Sequence, residues 1–143
     1  MRAAPPGRVI VSGRPQPLPA TEVIEVVESV LRGEKEEGRV EVAFVGRDHM
    51  AELNHRWKGV RRPTDVLAFS LHPEGEPVLG DVYICPWVAS RSATRHGVSL
   101  REELIRLVVH GTLHVLGWDH PEGEERTSSP MWTRQEAYVD RVR

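Results

Sequence analysis

The sequence predicts an α/β (α+β) fold: a single mixed sheet of about four strands, helices packed on it, and a metal site at the end of a central helix. Three observations carry that prediction. Four short segments rich in β-branched and aromatic residues, at 8–12, 39–45, 65–71 and 78–85, alternate with longer segments of helical periodicity. The last two of these are linked by H-P-E-G-E-P alone, which suits an antiparallel pair, because parallel neighbours need a longer crossover. The segment Val109 to His120, V-H-G-T-L-H-V-L-G-W-D-H, places three histidines in and just after the most apolar helical stretch.

Taken in order, R-V-I-V-S at 8–12 reads as a strand ended by Gly13 and the prolines at 15, 17 and 19. Thr21 is expected as the N-cap of a first helix, with Val23, Ile24, Val27, Val30 and Leu31 at helical spacing up to Gly33. Alternation at Val40, Val42 and Phe44 marks the second strand. Asp48 is expected to cap a second helix that buries Leu53 and Trp57 and is broken by Gly59 to Pro63. Pro86 suits the first position of a third helix, ended by Gly97. Ser99 with Glu102 forms a capping box that starts the histidine helix. Apolar residues surround that helix, so it should be covered nearly all round. A last helix begins near Pro130.

A chain of 143 residues suits one domain, 1–143, with a genuine core. Its 39% hydrophobic and 28% charged residues are ordinary for a globular protein, and no run approaches the roughly 20 apolar residues of a membrane span. The N-terminus shows no apolar stretch resembling a signal peptide. One cysteine, Cys85, excludes an internal disulfide and agrees with a reducing cytoplasm; it reads as a small apolar residue at a strand end. The net charge of −2 gives no global signal for nucleic acid, and its distribution is more informative. Arg56, Lys58, Arg61 and Arg62 form one acid-free run, and Arg91, Arg95 and Arg101 another. Such runs are usually solvated faces, and contact with phosphate is the alternative.

His110 and His114 are four residues apart and so share one helix face. Gly117 can take the positive φ that ends a helix and lets the chain turn His120 back towards the pair. A lone histidine in an apolar helix is usually a satisfied core residue; the third one beyond a glycine changes the balance. Three imidazoles leave one position of a tetrahedral Zn²⁺ open, as in catalytic sites. Zinc proteases of the H-E-x-x-H type carry a glutamate base after the first histidine, where this chain has Gly111, which disfavours a peptidase. Asp119 either orients a histidine or bonds its own backbone as a turn residue. Thr64 and Asp65 are candidates to line the cleft, and Asp65 alternatively caps or hydrogen-bonds within its loop. His49, His55, His72 and His96 lack metal-like spacing, and most of Trp57, Trp87, Trp118 and Trp132 are expected in the core.

Three blocks resemble the bacterial YbeY family of zinc-dependent endoribonucleases of ribosomal RNA maturation. They are L-N-H-R-W-K-G-V-R-R-P-T-D-V-L-A-F at 53–69, the G-D-V strand from Gly80, and H-G-T-L-H-V-L-G-W-D-H at 110–120 with the later M-W-x-x-Q-E at 131–136. The resemblance implies that His110, His114 and His120 hold one catalytic Zn²⁺. It also implies cytoplasmic RNA hydrolysis in 16S rRNA 3′-end maturation and ribosome quality control. The small ribosomal subunit would be the context, with ribosome-associated factors as partners. The family's usual tyrosine is Trp118 here, and its functional arginine falls on Lys58, which keeps the charge but not the bidentate fork. Lys58 then serves as a point charge, or Arg56, Arg61 or Arg62 reaches in. The rival readings are a metal-dependent amidase or peptidase, and a non-catalytic module that zinc staples and a basic face docks on the ribosome.

Overall fold

The computed structural model describes residues 9–14 and 16–143. Arg8, Pro15 and the N-terminal segment read above for a leader lie outside the described residues. The chain runs β1 (Val9–Ser12), α1 (Ala20–Gly33), β2 (Gly38–Phe44), α2 (Arg47–Lys58), β3 (Val66–Ser70) and β4 (Val78–Ile84). Then follow α3 (Pro86–His96), α4 (Leu100–Val115), a 3₁₀ helix at Gly123–Ser128, and α5 (Pro130–Val142). The sheet order is β1-β2-β4-β3, with β1, β2 and β4 parallel and β3 antiparallel on the edge. The short 72–77 link therefore joins an antiparallel pair, Val66 opposite Ile84 and Ser70 opposite Gly80, as expected of a connection too short for a crossover.

Side chains alternate across this sheet and build two cores. Val40, Val42, Val82 and Ile84 face the larger one, shared with α1, α4 and α5. Leu67 and Cys85 face the smaller one, closed by Met50 and Leu53 of α2. Helix α4 is the centre: it touches α1, α3, α5, β3 and β4, and Leu104, Ile105, Val108, Val109 and Leu113 are fully buried. Each such side chain contributes on the order of 1.5–3 kcal/mol of burial, so the apolar surround stabilises a helix that carries polar imidazoles.

Helix α4 lies unusually close to β4. A Cβ on Gly111 would stand 2.5 Å from Val82 Cγ1, and one on Gly80 would stand 2.3 Å from Val115 Cγ1. Two absent side chains, one on each element, let helix and strand meet, which fixes the height of His110 and His114 above the sheet.

Three local expectations need correction. Helix α1 is capped by Pro19, whose carbonyl accepts from the N–H groups of Glu22 and Val23, so Thr21 lies exposed inside the first turn. The proline's fixed φ sets that start one residue before Ala20. Helix α2 is capped by Gly46, and Asp48 sits in the first turn, where its charge suits the helix dipole. Trp57 is 61% exposed rather than buried: Met50 and Leu53 fill the smaller core, and the indole lies against Phe69 of edge strand β3, 5.3 Å between ring centres, with much of its surface open. Trp87 is exposed as well, and Trp118 and Trp132 are half-buried, so none of the four tryptophans is a core residue.

Candidate metal centre

Ser99 opens α4 by accepting the N–H of Glu102 at 3.0 Å. The Glu102 side chain does not complete the box; it binds Arg106 and Arg143 instead. The 16-residue helix ends in a Schellman motif: Trp118 N–H bonds Leu113 O at 3.0 Å, Gly117 N–H bonds His114 O at 3.0 Å, and Gly117 has φ +101°. That reversal returns His120 to the helix face. The ring centroids of His110, His114 and His120 lie 4.6, 5.0 and 5.1 Å apart, and one nitrogen from each falls within 4.8 Å of the others.

The donor set fits a metal ion. Imidazole nitrogens bound at 2.0–2.1 Å to one tetrahedral ion stand about 3.4 Å apart, a distance reached from here by modest side-chain closure. In His110 and His120 the other ring nitrogen is already committed. His110 Nδ1 lies 2.6 Å from Gln135 Oε1, while the amide nitrogen of Gln135 donates to Glu136 Oε2 at 3.0 Å. With the amide oriented so, His110 Nδ1 carries the proton and Nε2 is left as the ligand. His120 Nδ1 donates to the Pro121 carbonyl at 2.9 Å, leaving its Nε2 free in the same way. Glu136 is in turn gripped by Arg106 through bonds of 2.9 and 2.8 Å. An Arg106–Glu136–Gln135–His110 chain thus orients the most buried imidazole.

Protonation favours ligation. Burial lowers the pKa of His110 to about 4, with the Gln135 bond opposing and the charges of His114, Arg126 and His120 assisting. Burial also lowers that of His114, assisted by the charges of His120 and Lys58. Both rings are therefore neutral at pH 7, the state in which a histidine binds metal.

The imidazoles open into a groove of about 270 Å³ whose other walls include Lys58, Asp65, Asp119 and Arg126. Of the basic block, Lys58 lines this groove. Arg61 instead pairs with Glu52 at 3.6 Å, Arg56 is exposed on α2, and Arg62 offers its backbone carbonyl to Asn54 at 2.9 Å. In the second basic run, Arg101 pairs with Glu22 and Arg91 stacks over Trp87 at 4.4 Å. Asp65 combines its two readings: it lines the groove, and its carboxylate accepts from Val66 N–H at 2.8 Å and the Thr64 hydroxyl at 3.4 Å. Asp119 accepts from the backbone N–H of His120 at 2.9 Å, so it steadies that histidine through the main chain and not through the ring.

Sequence reasoning missed Gln135, Glu136 and Arg126. The first two stood in a quoted motif, but nothing in its spacing placed Gln135 against a histidine 25 positions away. Arg126 lies in a 3₁₀ helix that the acidic, turn-rich stretch after His120 gave no reason to expect. Among the described residues, no helix is long and apolar enough to cross a membrane.

Comparison with known proteins agrees with this geometry. Residues 15–143 match the family described as Endoribonuclease YbeY. The Endoribonuclease YbeY of Thermotoga maritima is 37% identical over 118 residues, which cover 82% of this chain and 77% of the relative. That of Salinispora tropica is 48% identical over 98 residues, covering 59% and 62%. A solution structure of a Thermotoga maritima protein superposes with a TM-score of 0.64 at 32% identity, covering 94% of this chain and 88% of the other. A matching motif order, a shared fold and this level of identity lead to one conclusion: the chain belongs to the YbeY endoribonuclease family.

Proposed function

We propose that this protein is a zinc-dependent endoribonuclease that hydrolyses RNA phosphodiesters, with His110, His114 and His120 as ligands of one Zn²⁺. The observation that carries the reading is the triad itself: three imidazoles aimed at one point, two held neutral by burial, beside a cation in an open groove. A zinc ion held there supplies Lewis acidity towards a phosphoryl oxygen and makes water acidic enough to attack at neutral pH. The chain's own residues do the rest. Gln135 and the Pro121 carbonyl hold the outer ring nitrogens of His110 and His120, which leaves Nε2 of each as the nitrogen available to the metal. Lys58 places a positive charge where the phosphate oxygens gain negative charge, a contact worth roughly 2.7–4 kcal/mol if it matches an oxyanion-hole donor. Arg56, Arg61 and Arg62, exposed and within four residues of Lys58 in the chain, attract the RNA backbone before chemistry.

The substrate proposed is the 16S rRNA precursor near its 3′ end, handled in the cytoplasm on the small ribosomal subunit, with ribosome-associated factors as partners and ribosome quality control as the wider setting. Family membership and the basic approach support that reading. The peptidase alternative loses support from Gly111, which abuts Val82 and has no room for a side-chain base.

Metal analysis of the purified chain, run with cleavage of a 16S rRNA precursor and of casein, tests the proposal. The expected result is about one zinc per chain, RNA cleavage, intact casein, and loss of both zinc and cleavage in a folded His114→Ala variant. Unchanged RNA cleavage by that variant, or casein turnover without RNA cleavage, would overturn it.

A further inference from the structure

Behind the metal groove lies a second cavity of about 510 Å³, within the range of small-molecule sites. The two cavities share Asp65, His110 and Arg126, so the Arg126 side chain stands at their junction. Arg126 Nε is buried without a hydrogen-bond partner, the one side-chain nitrogen or oxygen in that condition among the described residues. Buried donors are normally satisfied, and an unsatisfied guanidinium nitrogen beside a phosphodiester-cleaving centre points to an anionic ligand. The guanidinium carbon lies 5.9 Å from the centre of the Trp132 ring, which also lines the cavity.

The inner wall supplies a complementary group. Glu103 is only 6% exposed, and its nearest ion-pair contact, Arg106 Nη1 at 3.9 Å, is too long for a hydrogen bond. Arg106 is spent on Glu136 and Glu102. Ser92, on the same wall, also bonds this carboxylate, whose two oxygens have more acceptor sites than that one bond fills and which lines the cavity next to apolar Leu107 and Val98.

We propose that this cavity is a single-nucleotide subsite, in which Arg126 binds the phosphate next to the one cleaved and the base stacks on Trp132. This rests on the RNA-hydrolase reading of the triad. Single-stranded RNA is recognised by unstacking a base onto an aromatic ring and bonding its edge. Glu103 accepts from an exocyclic amino group, which adenine, cytosine and guanine carry and uracil lacks. The subsite thereby gives the enzyme a base preference beside the scissile bond.

The test is calorimetric titration of the full, metal-loaded chain with AMP, CMP, GMP and UMP, with ribose 5-phosphate and inorganic phosphate as probes without a base. The expected order is amino-bearing nucleotides tightest, UMP weaker, ribose 5-phosphate weakest. Arg126→Gln and Trp132→Leu should each bind roughly tenfold more weakly, and Trp132→Phe, which keeps a ring and the packing, should restore most of the affinity. Nucleotides that bind no better than ribose 5-phosphate would overturn the proposal, as would wild-type affinity in both Arg126→Gln and Trp132→Leu. Cleavage of a short RNA series separates the two readings. RNA cleaved with the same base preference by wild type and both variants rejects the subsite alone. Nucleotide binding that depends on Arg126 and Trp132 in a chain that cleaves no RNA supports the subsite and rejects the catalytic reading.

Discussion

The indole Nε1 of Trp118 donates to Oε1 of Glu34 at 3.0 Å, tying the turn after α4 to a residue 84 positions earlier at the end of α1. The same carboxylate accepts from Arg134 Nε at 2.8 Å and from the Tyr138 hydroxyl. Helix α5 and the turn after α4 therefore converge on one side chain at the end of α1, and that turn is the one that delivers His120. Glu34→Gln removes the charge behind all three bonds. It should cost about 1–3 kcal/mol in urea unfolding and measurably weaken zinc retention against a chelator, although Glu34 touches no histidine. Unaltered zinc retention would show that the turn holds itself.

The same residue sets a pH dependence. Burial alone would raise the Glu34 pKa, but the bonds from Tyr138, Arg134 and Trp118 reverse that and hold it below its usual 4.5. A depressed folded pKa stabilises the native state above the unfolded value, and that stabilisation disappears as pH falls through the folded one. The stability gap between wild type and Glu34→Gln should thus be full at pH 7 and narrow steadily below pH 4.5. A gap independent of pH would show that the glutamine disturbs packing and not charge.

Gln135 offers a sharper probe of the centre. Gln135→Leu leaves the Nδ1–H of His110 buried without an acceptor and frees the ring to rotate. Loss of such an outer hydrogen bond typically lowers metal affinity 10–100-fold. Chelator competition should show that loss, together with about 1–3 kcal/mol of destabilisation from the orphaned donor. Zinc affinity within twofold of wild type would mean that packing alone orients the ring.

Lys58 invites a charge-geometry comparison. Lys58→Ala should lower single-turnover RNA cleavage roughly 10²–10³-fold with little change in zinc content. Lys58→Arg should retain activity or exceed wild type, since the guanidinium fork matches phosphate oxygens. If alanine cleaves as fast as lysine, the positive charge acts elsewhere, and Arg126 becomes the first residue to examine.

Much of this molecule was legible before its coordinates. Periodicity located the sheet strands and the helices, and the short 72–77 loop gave the antiparallel edge. The His110–His114 spacing with Gly117 foretold the approach of His120, because those features are local and backbone geometry alone links them. What escaped was long-range. Gln135 meets His110, and Glu34 meets Trp118, only after the whole chain is folded. Trp57 escaped for another reason: helical period gives the side of a helix, but not how much of a side chain on that side its neighbours cover, and Phe69 covers only part of the indole.

The glycine contact between α4 and β4 has one more consequence. With a side chain at 111 already 2.5 Å from Val82, a glutamate installed there would have to lift the helix, and the two histidines with it, off the strand. The groove's other ionisable side chains, Lys58, Asp65, Asp119, Glu122 and Arg126, all stand on the 58–65 connection or the 119–126 segment. New chemistry on such a scaffold would have to be written in its turns, while the helix remains a fixed mount.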